Sequence, residues 1–409
     1  MNSELPTSNP EHRRQPRLSP PPIGLLVPGD PAPLCCAAMA SYPGVYVEEI
    51  PGGGHPIAGV PTAITAFVGA AKKGAVNHAT PIRNIGEFEQ KFGGAAAGLE
   101  LADAVRQFFL NGGTEAIVVR IAKSASAAQV RTGLRALDKV DLFNLLVLPG
   151  VTARDTLADA VSYCRKRRAF LIGDAPADAR TPAEMEQSVL RGALPKTSDA
   201  AVYFPWIRIA DPLHGGAPRT APPSGTIAGL YARTDRTRGV WQAPAGTDAT
   251  LQGVKDLACR LTDAENSLLN PRGINCLRAL PKPVAWGART LEGDDRLASD
   301  WKYVPVRRLA LFLEESLDRG TRWAVFEPNA EPLWAQLRAS VGAFLNGLFR
   351  AGAFQGSSPR DAFFVKCDAT TTTPADLARG VVNIVVGFAP LKPAEFLILT
   401  LRQRAGQIT

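Results

Sequence analysis

Two hydrophobic rhythms alternate along the chain. Short unbroken apolar runs closed by Gly or Pro predict buried strands, and stretches with apolar positions three and four apart predict helices. The first run, Ala63 to Gly69, precedes two helical patterns, Ile85 to Phe92 and Leu99 to Leu110. The second sets Leu101, Val105, Phe108 and Phe109 on one side, and Asn111, Gly112 and Gly113 stop it. Strands at Ala116 to Ile121, Leu142 to Leu148, Ala169 to Gly173 and Ala201 to Ile209 then alternate with helices at about Ala153 to Lys166 and Thr181 to Arg191. Apolar strands separated by helices predict an α/β fold, with a mostly parallel sheet covered on both faces. Residues 210–225 read as a loop, with Ser224 placed to cap a helix carrying Ile227, Leu230 and Tyr231.

The composition shifts around Leu280 to Thr290, which sets a second-domain boundary there. Beyond it the pattern predicts an amphipathic helix over Val306 to Arg319, closed by Gly320, and a strand over Trp323 to Glu327. Pro332 opens a long helix whose buried stripe is Leu333, Leu337, Val341, Phe344, Leu345 and Leu348. Strands at Phe363 to Asp368 and Val381 to Phe388 follow, and a last one, Phe396 to Leu401, lies behind a break at Pro390 to Pro393.

The other end mirrors this arrangement. The stretch SYPGVYVEEIPGGG places a strand, Tyr42 to Ile50, directly before a hinge at Pro51 to Gly54. A lone strand leaves N–H and C=O groups unpaired along both edges and is not stable alone. It either folds back onto its own sheet or adds to a sheet on another copy, and head-to-tail exchange of that kind propagates into rings or helical filaments.

Composition narrows the partners. The 409 residues are 45% hydrophobic and 21% charged, with net charge +8, which points to an anionic partner surface, either nucleic acid or acidic protein. Cys35, Cys36, Cys164, Cys259, Cys276 and Cys367 show no paired spacing, which fits thiols in a reducing compartment. No apolar run is long enough to span a bilayer. The first forty residues carry nine prolines and balanced charges, and read as a disordered leader. Met39, just before Ala40 and Ser41, reads as a natural translation start.

Candidate chemistry is sparse. There is no phosphate loop, nucleophile elbow or zinc-protease motif. Asp211, His214 and Ser224 can be imagined as a nucleophilic relay and Glu292, Asp294 and Asp295 as a cation loop, but polar loop residues are the better reading of both. The basic runs Arg165 to Arg168 and Arg233, Arg236 and Arg238 lie at helix ends, where positive charge complements the dipole, and lack interleaved stacking aromatics. Trp206, Trp286, Trp301, Trp323 and Trp334 read as core. We expect no catalytic residue, no metal site and no cofactor.

Taken together the segments resemble something known. YPGVYVEEIPGG, FPWIRIADP, PPSGTIAGLYARTDRTRGVWQAPA, LNPRGINCLRAL, VAWGARTL, YVPVRRLALFLEESLDRGTRWAVFEPN, LWAQLRASVGAFLNGLFRAGAFQG, AFFVKCDATTTT and PLKPAEFLILTL are similar, in that order, to the tail sheath proteins of contractile phages and extracellular contractile injection systems. The match runs from about Tyr42 to Leu401, and the leader before Met39 departs from it. Lack of a large inserted domain resembles the compact sheaths.

The resemblance implies a structural subunit that polymerises as stacked hexameric rings around an inner tube. Contraction would then drive the tube through a target envelope without nucleotide. It also implies that arm strands from neighbouring copies complete the C-terminal sheet. Carried over by position, Tyr42, Val45, Tyr46, Val47 and Ile50 belong to one donated strand, Tyr42 to Ile50, and Phe396, Ile398, Leu399 and Leu401 to the other, Glu395 to Arg402. The strands at Phe363 to Asp368 and Val381 to Phe388 would receive them. Gly52, Gly53, Gly54, Pro390 and Pro393 are the hinges. Arg307, Arg308, Arg319 and Arg322 are the candidates for contact with the tube, with internal pairing to Glu314, Glu315 and Asp318 as the alternative.

The expected parts are a leader (1–40), an N-terminal arm and hinge (41–60), an α/β domain (61–285), a C-terminal domain (286–389) and a C-terminal arm (390–409). The implied partners are further copies of the chain, an inner tube protein, baseplate and terminal cap proteins and a sheath-remodelling ATPase, with no nucleic acid and no membrane insertion. Assembly would take place in the bacterial cytoplasm, before release as a tail or extracellular particle. The competing readings are an α/β enzyme with an unrecognised site and a nucleic-acid-binding protein using the basic surface.

Overall fold

The apolar runs of the first part of the chain do become one sheet. The computed structural model describes residues 55–122, 126–293 and 299–395. Its strands up to the domain boundary are β1 (Thr65–Ala70), β2 (Ala79–Ile82), β3 (Ala116–Ile121), β4 (Leu145–Val147), β5 (Phe170–Asp174), β6 (Ala200–Phe204), β7 (Ile207–Ala210), β8 (Pro218–Ala221), β9 (Val254–Leu257), β10 (Ile274–Ala279) and β11 (Pro283–Ala285). Eight of them form a sheet in the order β11-β10-β6-β5-β4-β1-β3-β2. Its inner strands are parallel, and only the edge strands β2 and β11 run antiparallel.

The pleat sends alternate side chains to opposite faces, and each face is covered by helices. Phe67, Leu145, Val147, Phe170, Ile172 and Tyr203 meet α1 (Ile85–Phe92) and α2 (Leu101–Leu110) on one side. Ala66, Val68, Leu146, Leu171 and Val202 meet α3 (Ala127–Arg135), α4 (Arg154–Lys166) and α5 (Pro182–Leu190) on the other. Covered on both faces, the strands need apolar residues at every position, which is why they read as unbroken runs. Asn84 caps α1, and a reciprocal Thr181–Glu184 capping box starts α5.

The first layer also holds α6 (Ser224–Arg238), which lies against α2 at backbone contact distance. A Cβ on Gly225 would fall 2.5 Å from the Ala104 Cα, and one on Gly229 would meet the Phe108 carbonyl and lie 2.7 Å from the Asn111 Cβ. Gly229→Val is therefore expected to destabilise the fold by at least about 3 kcal/mol, the top of the usual overpacking range. The denaturation midpoint would show this, with Gly229→Ala affected less.

Three expectations need correction here. The run Ala201 to Ile209 is two strands: Pro205, which has no N–H to give to a ladder, separates β6 from β7, and β7 leaves to form a three-stranded antiparallel sheet, β8-β7-β9. The supposed loop 210–225 contains β8, whose partner β7 could not be recognised while it was merged with β6. Ser224 is the first residue of α6 rather than its cap, and its hydroxyl serves Asp174 instead.

Past a short α7 (Asp263–Leu269), the chain enters α8 (Val304–Gly320), with Pro305 in its first turn. This helix gives Val304 and Leu311 to the first core layer and Leu309 and Leu313 to a third cluster, so a boundary at residue 286 is a boundary in the sequence and not a gap in the packing. The third cluster joins α8 to α9 (Glu331–Arg350), α10 (Pro359–Ala362) and strands β12 (Phe363–Lys366) and β13 (Val385–Phe388), with α11 (Pro374–Ala378) between the strands. The expected strand Trp323 to Glu327 is instead a 3-10 turn, Arg322–Ala324, and a bend at Phe326 with φ 76°. Trp323 and Ala324 pack beside Leu333, Trp334 and Leu337, while Val325 and Phe326 point to solvent, and no neighbouring strand among the described residues pairs with them.

Candidate functional site

β12 and β13 form an antiparallel pair in the register Phe363↔Phe388, Phe364↔Gly387, Val365↔Val386 and Lys366↔Val385. Phe363, Val365, Val386 and Phe388 face the α8–α9 cluster. On the other face Phe364 is 50% and Val385 44% exposed. The Phe364 ring lies over Gly387, where a Cβ would stand 2.5 Å from its Cζ, and Lys366 reaches over the same ring at 5.9 Å. Among the described residues neither strand has a second neighbour, so each keeps one open edge. Two strands alone are marginal, and here the helices beneath supply the support.

The β13 side borders a long recess. A groove of about 460 Å³ lies between Val386, Gly387, Phe388 and Pro390 on one wall and Asp300, Trp301 and Val306 on the other. A second, of about 400 Å³, runs from Ile384 and Val386 to Leu317, Thr321 and Val341. Trp301, expected in the core, is 41% exposed.

The chain enters and leaves this region at fixed points. His55 stacks on Trp323 with ring centres 3.9 Å apart, Ile57 packs against Gly320, Gly59 lies under Phe312, and the Val60 amide donates to Ser316 Oγ at 3.1 Å. Residues 55–60, expected to share in the hinge, are thus laid along α8. At the other end the Ala389 amide donates to the Ala362 carbonyl, Pro390 bridges to Phe354, Lys392 Nζ lies 2.8 Å from Asp300, and Glu395 meets the buried Arg289. Tyr42, Val45, Tyr46, Val47, Ile50, Gly52, Gly53 and Gly54, and Phe396, Ile398, Leu399 and Leu401, lie outside the described residues, as does Met39.

Comparison with known proteins agrees with this architecture. The model of the phage tail sheath protein central domain matches residues 124–291, and that of the phage tail sheath C-terminal domain matches residues 298–404. A chain of the PVC sheath complex, an extracellular contractile injection system solved in the contracted state, is 30% identical, covers 90% of this chain and 99% of its own, and superposes with TM-score 0.72. The chain belongs to the phage tail sheath family. Anti-feeding prophage (AFP) chains, from its baseplate and from its contracted helical sheath, are each 29% identical with TM-score 0.71, and cover 90% and 89% of this chain and 100% of theirs. A prophage major tail sheath protein of Pseudomonas aeruginosa is 29% identical over 296 residues, 69% of this chain and 71% of that protein. The sheath family is structural, so the chain is a structural subunit of a contractile tail or injection system and not an enzyme.

The sheath protein's charged residues are largely used internally. Arg308 is buried: its guanidinium donates to both Asp235 oxygens at 2.8 and 2.6 Å and to the Thr62 carbonyl at 2.8 Å, and it stacks over Tyr231 at 4.8 Å. As a tube contact Arg308 is therefore corrected. The family resemblance made it a candidate as one of several basic residues on or just after one helix, and the alternative of internal pairing is what the structure shows for it. Arg307 pairs with Asp199 at 2.8 Å and Glu314 at 3.5 Å, and Arg319 with Glu315 at 2.6 Å and Asp141 at 2.8 Å. Arg322 meets Asp318 at 3.0 Å but keeps 61% of its side chain exposed. Arg165 reaches Asp199, Arg167 the Leu137 carbonyl, and Arg168 Glu315; Arg233 and Arg236 bond the Thr250 and Gly112 carbonyls. The two basic runs thus close loops and helix ends.

The imagined relay comes apart as well. Asp211 Oδ2 holds His214 Nδ1 at 2.8 Å, but Ser224 donates both its amide and its hydroxyl to Asp174, each at 2.8 Å. Asp174 also accepts from the Gly150 amide at 2.9 Å, so the carboxylate ties the ends of β4 and β5 to the start of α6. Burial pushes the Asp174 carboxyl up to about 6, against the opposing pull of those hydrogen bonds. A raised folded-state value means the native state binds the proton first, so this group destabilises the fold when ionised and that cost disappears as pH falls from about 6 to about 4. The stability of the wild type minus that of Asp174→Asn is expected to rise by about 2 kcal/mol between pH 7 and pH 4, read by denaturant unfolding at each pH. Among the described residues no group of three His, Cys, Asp or Glu side chains is placed to hold a metal, and no helix is long and apolar enough to cross a membrane.

Proposed function

We propose that this chain polymerises as stacked hexameric rings around an inner tube protein and contracts to drive that tube through a target envelope. Arm strands from neighbouring copies would complete the β12–β13 sheet. The observation that carries this reading is the pair of open strand edges beside a groove floored by α8. A strand laid along β13 would pair its main chain on one side and meet Trp301 and Val306 on the other. At about 0.5–1.5 kcal/mol net per main-chain hydrogen bond, a strand of several bonds tethers subunits without special side chains.

The relatives support the rest of the picture. AFP chains of this kind sit in a helical sheath and in a baseplate, which makes a helical polymer and a baseplate the first partners to expect. A terminal cap protein and a sheath-remodelling ATPase complete the list, with assembly in the bacterial cytoplasm before the particle leaves as a tail or extracellular injector. Of Arg307, Arg319 and Arg322, the remaining candidates to face the tube, Arg322 has the most exposed side chain for that contact. The test is self-assembly of the purified protein by light scattering and negative-stain imaging. Rings, tubes or contracted cylinders are expected; a monomer at every salt and protein concentration would overturn the reading.

A further inference from the structure

Arg289 is 1% exposed, an expensive place for a charge. Its backbone is fixed from the central sheet: Asn275 on β10 accepts from the Arg289 amide at 2.7 Å and donates to the Arg289 carbonyl at 2.7 Å. The guanidinium donates to the Gly293 carbonyl and, through Nε and Nη2, to both oxygens of Glu395, with Nε to Oε1 at 2.8 Å. Such two-point pairing fixes direction as well as distance. Glu395 is the last described residue and stands at the start of the predicted donated strand, Glu395 to Arg402.

Among the described residues the path leading to Glu395 is lightly held, with Lys392 and Ala394 exposed. Pro393, Ala394 and Glu395 roof a cavity of about 340 Å³ whose opposite wall carries Trp286, Asn266 and Asn270. The contacts before it are the Pro390 bridge and an exposed Lys392–Asp300 pair, and exposed pairs hold little. Sequence reading placed the pivot of the C-terminal arm at Pro390 to Pro393. We propose instead that Arg289 and Glu395 are positioning residues that anchor the root of the arm to the central sheet, so that residues 390–395 are held at Glu395 and do not act as a free pivot. The inference rests on the sheath reading, in which that arm is donated to a neighbour. Pull on a donated strand then passes through the ion pair to β10, and not into the two-stranded C-terminal sheet.

Hydrogen exchange on the full-length protein, before assembly, tests this. Glu395→Gln is expected to raise exchange across residues 391–395 about tenfold or more while β5, β6 and β10 stay as protected as in the wild type. Glu395→Asp, which shortens the reach but keeps the charge, should fall between, and Lys392→Ala should change little. Unchanged exchange at 391–395 in Glu395→Gln overturns the anchor, and so does a rise spread evenly over the central sheet, in Glu395→Gln or in the milder Glu395→Asp. Polymerisation of the wild type is scored separately: a protein that never assembles refutes the sheath reading, whereas a normal sheath with an unaltered arm root refutes only the anchor.

Discussion

Replacing Val45 and Val47 by proline, or deleting residues 1–50, is expected to leave a folded monomer that forms no sheath. Residues 55–60 hold to α8 through their own contacts, and the account places the preceding strand on a neighbouring copy and not in the subunit's own core. Proline removes the main-chain donors that a strand offers to a ladder and clashes within one. Losing several bonds at about 0.5–1.5 kcal/mol each removes the tether at every subunit contact, and in a polymer that loss repeats along the lattice. Circular dichroism and the thermal midpoint should match the wild type, while sedimentation shows one small species. Loss of the fold itself would assign the strand to the subunit's own core.

The second large effect is on stability, at Arg308. Truncation to alanine leaves Asp235, whose side chain is only 4% exposed, without the guanidinium that it shares with the Thr62 carbonyl. Breaking a buried pair from one side costs about 3–5 kcal/mol, because the remaining charge stays out of water. The double replacement Arg308→Met with Asp235→Leu should cost less than either single change, since both charges leave together. Thr62, whose hydroxyl donates to Asp235 at 2.6 Å, joins the N-terminal segment to this centre. Denaturant titration should therefore show an early transition in Arg308→Ala, with residues 55–62 losing protection first.

The long parallel sheet was legible because strands buried on both faces write themselves as unbroken apolar runs, and the helices between them keep their spacing and their stops. What misled was continuity. Ala201 to Ile209 is apolar but for Arg208, yet Pro205 divides it between two sheets. Trp323 to Glu327 opens with four apolar residues, as a short strand would, but whether it becomes one depends on a neighbour to pair with, and that is not written locally. The internal use of Arg308 and Arg289 was hidden for a related reason. Their partners Asp235 and Glu395 stand far away in sequence, 73 and 106 positions off, so nothing beside either arginine names its partner. The family resemblance alone named β12 and β13 as receiving strands; the sequence pattern carries no sign of their open edges. The groove wall at Trp301 and the docking of residues 55–60 on α8 came from the folded chain alone.

The most direct test of the central claim is a cross-link between the N-terminal arm and the β12–β13 sheet in assembled material. One cysteine would replace Val47 and another the exposed Phe364, joined by a short thiol-reactive linker and resolved on a denaturing gel. The account predicts a ladder of covalent multimers reaching several subunits, because each arm bonds a different copy. A cross-link confined to the monomer band would show the strand folded onto its own sheet, and would contradict the account.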